Sequence, residues 1–259
     1  TIATLLYFFL SLSLMAPPLY KLNSNIELVD LGLFFKSSKT LVISDIHLGY
    51  EEALNKKGVL IPRFQFEDTI KRLQPILEHT KPKRIIINGD LKHEFGFISD
   101  QEWREILKLI DLMYKYTKDI IIIKGNHDVK LAPITKKREL QIVERHIQDS
   151  CLFIHGNKEP KDLKELDIDM IIVGDEHPAI SIGNKIRREV YKCFLIGKYR
   201  IGLKKKDLLV LPSFNQVTVG VDVVKEQLRS PFLKKNVKNY EVIVVGKELH
   251  AFGKVKQIS

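Results

Sequence analysis

Five short runs of branched apolar residues, each leading at once into residues able to hold a metal ion, constrain this chain more than any other feature. The runs cover residues 41–43, 85–87, 120–123, 152–154 and 170–173. Their length and their Ile and Val content predict buried strands. They lead, in order, into Asp45-Ile46-His47, Gly89-Asp90, Gly125-Asn126-His127-Asp128, His155-Gly156 and Gly174-Asp175-Glu176-His177. Four of the eight histidines fall in these places. The carboxyl ends of strands in α/β sheets are where ligands gather, because the strands deliver several loops to one spot. A period of two puts Asp45 and His47 on one side wherever extended geometry persists, and the glycines permit sharp turns after the strands. Any one motif has an ordinary reading, Asp-x-His as a loop and Gly-Asp as a turn; the order of all five carries the inference. Mixed imidazole, carboxylate and amide donors suit Mn, Fe, Zn or Ni and disfavour a thiolate-preferring ion.

Apolar runs that alternate with amphipathic stretches from Ile26 onward predict a layered α/β or α+β fold. Residues 64–78 and 101–116 carry apolar side chains at helical spacing. Ser99 reads as the N-cap of the second helix, with Glu102 completing a capping box. After Gly174 the pieces are shorter and strand-like, at 179–182, 190–196 and 208–211, and are expected to form the second sheet. Residues 212–220 read as a loop and 240–245 as a last strand. With no repeat and no linker, one domain over residues 26–259 is expected. Trp103 and the aromatics of residues 95–116 read as core. His93 is either a supporting residue beside Asp90 or a contact to substrate phosphate, while His79, His146 and His250, with Arg187 and Arg188, read as surface residues.

Residues 1–14 are almost wholly apolar, with no basic residue ahead of them and no clear cleavage site around Ala16-Pro17-Pro18. Met15-Ala16 reads as a translation start, so residues 1–25 are taken as an N-terminal extension and 1–14 as lying upstream of that start. The stretch is also short for a membrane span of about 20 residues. The 42 Lys and Arg outnumber the 32 Asp and Glu, giving +10. That favours anionic partners such as nucleic acid or phosphorylated small molecules, a Lys-rich solvated surface being the plainer alternative. Cys151 and Cys193 have no C-x-x-C spacing, which argues against a zinc ribbon or a disulfide framework and for a reducing, cytoplasmic setting. Abundant Ile and Lys lean toward a heat-adapted source, with which one intracellular disulfide is still compatible.

The ordered series Asp45-x-His47, Gly89-Asp90, Gly125-Asn126-His127-Asp128, His155-Gly156 and Gly174-x-x-His177 resembles the calcineurin-like metallophosphoesterase superfamily. The wording around it is closer still to one branch: Ser44-Asp45-Ile46-His47-Leu48-Gly49-Tyr50-Glu51, Gly89-Asp90-Leu91-Lys92-His93, Gly174-Asp175-Glu176-His177-Pro178, Cys193-Phe194-Leu195 and Leu211-Pro212-Ser213-Phe214. These are similar to the archaeal Icc-like phosphoesterases and their bacterial DNA ligase-associated relatives. The resemblance implies a four-layer αββα sandwich of two mixed β-sheets flanked by helices. It implies two divalent metal ions, manganese first, with nickel, zinc, iron or magnesium as alternatives, and hydrolysis of a phosphate ester by a metal-bridged hydroxide. Asp45, His47 and His177 would hold the first metal, Asp90 would bridge, and Asn126 and His155 would hold the second. His127 would face the substrate and protonate the leaving oxygen or steady the transition state, with Asp128 orienting its ring. One departure stands out: Asp175 occupies the place of the first His in the usual Gly-His-x-His. It either coordinates the second metal through oxygen or turns away and weakens that site. Three functions are compatible with these residues, namely a phosphodiesterase acting on a small or nucleotide substrate, a DNA or RNA nuclease, and a non-catalytic scaffold. None calls for stable membrane association.

Overall fold

The computed structural model describes residues 16–183, 187–234 and 237–258. The proposed start at Met15 and the stretch before it lie outside the described residues. The first sheet holds β1 (Leu19–Lys21), β2 (Ile26–Val29), β3 (Gly32–Phe35), β4 (Thr40–Ile43), β5 (Arg84–Asn88), β6 (Ile120–Ile123) and β7 (Gln141–Val143), side by side in chain order. The first four are antiparallel neighbours, and β4 through β7 run parallel. Parallel neighbours need crossovers, which α1 (Tyr50–Lys56) with α2 (Gln65–Thr80), α3 (Asp100–Met113) and α4 (Ala132–Arg138) supply. The sheet therefore starts at β1, inside the stretch 1–25 read as an extension.

The second sheet holds β8 (His146–Gln148), β9 (Cys151–Phe153), β10 (Met170–Val173), β11 (Pro178–Gly183), β12 (Arg188–Ile201), β13 (Lys204–Val210), β14 (Val221–Asp222), β15 (Glu241–Val245) and β16 (Leu249–Lys254), and α5 (Val255–Ile258) comes after it. Its main path is β14-β11-β12-β13-β10-β9-β8, with β15 and β16 added on β12. The change of sheet thus falls between β7 and β8, earlier than the change of rhythm at Gly174. β9 and β10 are parallel strands like those of the first sheet, so their sequences carry no sign of the switch.

Period-two alternation decides what each strand of the second sheet faces. Ile172, Phe194 and Leu209 join the core shared with the first sheet, while Ile171, Val173, Cys193, Leu195, Leu208 and Val210 belong to an outer core. Across the shared core the rings of Phe35 and Phe153 meet edge to face at 5.7 Å. The other side of the first sheet is closed by Leu73, Ile76 and Leu77 of α2 and by Ile106, Leu109 and Ile110 of α3. Strands covered on both faces read as continuous apolar runs, which is why Ile120–Ile123 needs no alternation. The outer core is covered by Leu163, which opens a short 3-10 helix, by Leu228, Phe232 and Leu233 in irregular chain, and by Val255 of α5. The layers are those of the expected sandwich, with a fourth layer that contains little helix. Both cysteines are free and buried, and among the described residues no helix is long and apolar enough to cross a membrane.

The capping box forms as expected: the Ser99 hydroxyl accepts from Glu102 N–H at 3.1 Å, and the Glu102 carboxylate accepts from Ser99 N–H at 2.8 Å. The Ser99 hydroxyl also donates to Glu52 at 2.5 Å, tying α3 to α1. Trp103 packs partly buried against the core. Phe95 and Phe97, also expected inside, are exposed instead, because they stand in the loop before the cap. Ser99→Ala is expected to destabilise the protein by about 1 kcal/mol, read as a lower urea midpoint at unchanged slope.

Candidate metal centre

The carboxyl ends of β4, β5, β6, β9 and β10 meet at one edge of the seam between the sheets, and all five motifs arrive together. Extended alternation does not align Asp45 with His47, as the sequence suggested. Both are left-handed, at φ 53° and 49°, and so are Asp90 at 46°, Asp175 at 65° and His177 at 50°. Each such residue costs on the order of 1–3 kcal/mol unless its surroundings hold it. Here the chain is held on several sides. Asp45 N–H donates to Gly89 carbonyl at 3.1 Å and His47 N–H to Asp90 carbonyl at 2.9 Å. From far along the sequence, the Ser213 hydroxyl and Asn215 N–H donate to Asp45 carbonyl at 2.8 and 3.0 Å. The Gln65 amide donates to His47 carbonyl at 2.8 Å. Gln65, Ser213 and Asn215 carried no signal of this role in the sequence beyond the wording Leu211-Pro212-Ser213-Phe214.

Two clusters form around one carboxylate. Asp90 Oδ2 lies 3.6 Å from His47 Nε2 and 3.3 Å from His155 Nε2. On the first side His47 Nε2 is 3.3 Å from His177 Nε2, which is 3.5 Å from Asp45 Oδ1. On the second side His155 Nε2 is 2.8 Å from Asn126 Oδ1 and 3.2 Å from Asp175 Oδ1. Asp175 thus faces the second cluster. Asp45, Asp90, His47 and His155 are buried, and Asp45 Oδ1 has no hydrogen-bond partner among the described residues. A buried carboxylate oxygen with no donor and imidazole nitrogens on two sides fits a divalent cation. Asp45 with His47 and His177, and Asp45 with Asp90 and His155, each bring their donor atoms within 4.8 Å of one another.

Protonation obeys the same geometry. Burial, and then the neighbouring His177, drive His47 well below the ordinary imidazole range. Burial pushes His155 the same way, yet its bonds to Asp175 and Asp90 prevail and raise it well above that range. Burial would raise Asp90, but the His155 hydrogen bond and the surrounding imidazoles bring it down to about 2.

His127 and Asp128 do not pair as expected. The Asp128 carboxylate accepts from the backbone N–H groups of Leu91 at 2.9 Å and Gly125 at 3.0 Å. Buried there, it is pushed up to about 6. The Nδ1 of His127 instead meets the His93 carbonyl, while Asp90 Oδ1 accepts from His127 N–H at 2.8 Å. The His93 ring stacks on Tyr50 at 4.1 Å and lies 5.2 Å from the His127 ring. His93 is a supporting residue here through its carbonyl. His79 sits near Glu27 at 3.9 Å and His250 near Glu248 at 3.7 Å. His146 opens β8 with its ring near Gln148 at 3.4 Å, so all three stand apart from the centre, and Arg187 pairs with Glu189 at 2.6 Å.

Residues 38–150 match the calcineurin-like phosphoesterase family. The matched segment holds the motifs at Asp45, Asp90 and Gly125–Asp128, while His155 and Gly174–His177 lie beyond it. A nuclease MPE from Pseudomonas putida is similar in structure, 18% identical over 91% of this chain and 100% of that one, with a TM-score of 0.62. Yfce, a phosphoesterase from E. coli, is 14% identical over 85% of this chain and 94% of that one, with a TM-score of 0.38. The likeness to the first shows a shared fold. Comparison with curated proteins gives no match.

Close approach limits what the motifs tolerate. A Cβ on Gly125 would stand 2.1 Å from Asp90 Oδ1 and 2.4 Å from its backbone nitrogen. Gly125→Ala is therefore expected to displace the shared carboxylate and weaken Mn binding about tenfold or more. Isothermal titration with Mn, on protein shown folded by circular dichroism, checks this; unchanged affinity would mean that the Asp90 geometry is wrong.

Proposed function

We propose that this chain is a dinuclear metal-dependent phosphodiesterase of the calcineurin-like kind, acting as one domain in which β1 joins residues 26–259. The observation that carries the reading is Asp90 Oδ2, one carboxylate oxygen within 3.6 Å of an imidazole on either side. Asp45, His47 and His177 would hold one cation, Asn126, His155 and Asp175 the other, with Asp90 shared. Divalent cations there, manganese first, would lower the pKa of a bound water and offset charge on the phosphoryl oxygens. Aspartate in place of imidazole at position 175 makes the second site harder and more anionic. Its carboxylate being turned toward His155, at 3.2 Å, argues against the scaffold reading. The wording of the motifs favours the Icc-like and ligase-associated branch.

His127 is the residue whose placement suits proton transfer. Its Nδ1 is committed to the His93 carbonyl, and its Nε2 lies 3.9 Å from Asp90 Oδ2, on the side of the two clusters. A nitrogen bonded to a carbonyl carries the hydrogen, so giving a proton to a leaving oxygen requires Nε2 to be protonated as well. The ring that donates is then doubly protonated. Asp128 supports this ring from a distance, by fixing the Leu91 and Gly125 backbone on either side of Asp90.

Hydrolysis of bis(p-nitrophenyl) phosphate by metal-stripped protein, with Mn, Ni, Zn or Mg restored, tests the reading. His127→Ala is expected to keep its cations and lose about 10²–10⁴ in turnover, whereas Asp90→Ala loses cation binding itself. Variants that both keep metal and turnover would overturn the site assignment. Absence of turnover with every metal would overturn the enzyme.

A further inference from the structure

The segment Lys198-Tyr199-Arg200-Ile201-Gly202-Leu203-Lys204-Lys205-Lys206 joins β12 to β13 and carries five cations in nine residues. Antiparallel pairing from Leu195 with Val210 to Ile201 with Lys204 makes the two strands one ribbon. On its flanks β10 reaches only Asp207 to Val210, and β15 only Cys193 to Ile196. The last three pairs, ending in Ile201 and Lys204, therefore leave the sheet with no strand beside them. Gly202, left-handed at φ 60°, closes a two-residue turn, and a Cβ added there would meet nothing within 4 Å. Because β13 runs parallel to β10, whose carboxyl end leads into Asp175 and His177, the ribbon points away from the metal centre. At its tip Leu203 is 96% exposed, more than any other large apolar residue described. Behind the tip come Lys204 and Lys205, with Arg200 opposite Lys205. These three are exposed and have no carboxylate partner among the described residues, whereas Lys198 pairs with Asp207 at 2.5 Å and Lys206 with Asp169 at 3.6 Å. On one face Lys198, Arg200 and Lys205 line a hollow of about 590 Å³ in which Glu159 is the one acid. Lysines on free strands also prevent edge-to-edge pairing, which accounts for the cations but not for a leucine at the point where the fold gains nothing from it.

We propose that this ribbon docks the protein reversibly on an anionic phospholipid bilayer, with Leu203 among the acyl chains and Arg200, Lys204 and Lys205 among the headgroup phosphates. The order of residues along the ribbon selects this partner. A bilayer carries its charge at the surface and its hydrocarbon beneath. The ribbon meets it with an apolar tip ahead of a band of cations, the layering of segments that lie in the interface. Nucleic acid has its charge outermost and polar base edges inside its grooves, where a leucine tip finds less to bury against. The net charge of +10 adds a general attraction for the anionic surface. Docking by this end leaves the metal centre turned toward water, and the inference is independent of the phosphodiesterase reading.

The test is flotation of the full chain, in EDTA, with vesicles of equal parts phosphatidylglycerol and phosphatidylcholine, beside vesicles of phosphatidylcholine alone. The mixed vesicles are expected to bind about tenfold more tightly or better. Leu203→Ser, which leaves the charge unchanged, is expected to weaken that binding about tenfold, and Lys204→Gln combined with Lys205→Gln about thirtyfold. Leu203→Trp is expected to bind at least as well as the wild type, and its added emission to move to the blue on the mixed vesicles as the indole leaves water. All these positions are exposed, and circular dichroism checks that each variant is folded. Equal binding by Leu203→Ser and the wild type, or an emission from Leu203→Trp that vesicles do not move, would overturn the insertion of the tip. A DNA duplex is the rival ligand: failure to float, together with duplex binding that falls in the double lysine variant, would give the ribbon to nucleic acid and overturn the bilayer.

Discussion

Two carboxylates, those of Asp45 and Asp90, are taken out of water at the seam between the sheets, and the surrounding structure is organised around keeping them there. An ion moved from water to the protein interior loses several kcal/mol of hydration unless charges and donors replace it. Asp45 Oδ2 is served by the Ser44 hydroxyl at 2.6 Å and by Asp175 N–H at 3.1 Å. Asp90 Oδ1 is served by His127 N–H. These bonds answer one oxygen of each side chain. The remaining oxygens face imidazoles of both clusters, where a cation would complete the balance. That arrangement explains the opposed protonation of the histidines. Burial and the neighbouring His177 push His47 below the ordinary imidazole range, while the bonds of His155 to Asp175 and Asp90 outweigh its burial and raise it above that range.

The same requirement accounts for the backbone. A strand that stays extended puts residues two apart on one face but about 7 Å apart along its length, side by side and not aimed at one spot. Left-handed turns at Asp45, His47, Asp90, Asp175 and His177 curl each segment back so that its side chain points into the seam. Such turns persist only when neighbours over-determine them. The neighbours here come from the other end of the chain: the loop at Ser213 and Asn215 hydrogen-bonds the 44–46 backbone. The segments of the second sheet therefore bring His155, Asp175 and His177 to the centre, and the loop after β13 holds the Asp45 backbone in place.

The strands are legible in the sequence because buried parallel strands are short, apolar and β-branched, and the motifs because their residue types are out of place beside such runs. Helix α3 is legible from its periodicity and from Ser99 and Glu102. Short elements with little periodic signal, such as the hairpin of β2 and β3 and helices α1 and α4, are not. The point of sheet exchange is hidden as well, since β9 and β10 satisfy the same burial pattern as β4 to β6. Asp128 misleads for a related reason. An acid after a histidine looks like its partner in one dimension, but the turn at Gly125 points the carboxylate back to the Leu91 and Gly125 amides. The partner of His127 is a backbone carbonyl, that of His93, and a backbone atom has no signature in sequence.

Glu102 shows how a local folding signal and the chemistry become one structure. Its place in the sequence is explained fully by a helix N-terminus, where an acid three residues after a serine satisfies an orphan N–H. In the folded chain the same carboxylate also accepts from His93 and Glu94, and Gly49 lies so close that a Cβ there would stand 2.4 Å from its Cγ. The His93 carbonyl that orients His127 is thereby fixed by the first turn of α3, which in turn is packed through Ile106, Leu109 and Ile110 into the main core. A helix cap, a core-facing stripe and the orientation of one imidazole are thus links of a single chain of contacts. The position of the His127 ring is thereby tied, through the His93 backbone and Glu102, to the helix that Ser99 caps.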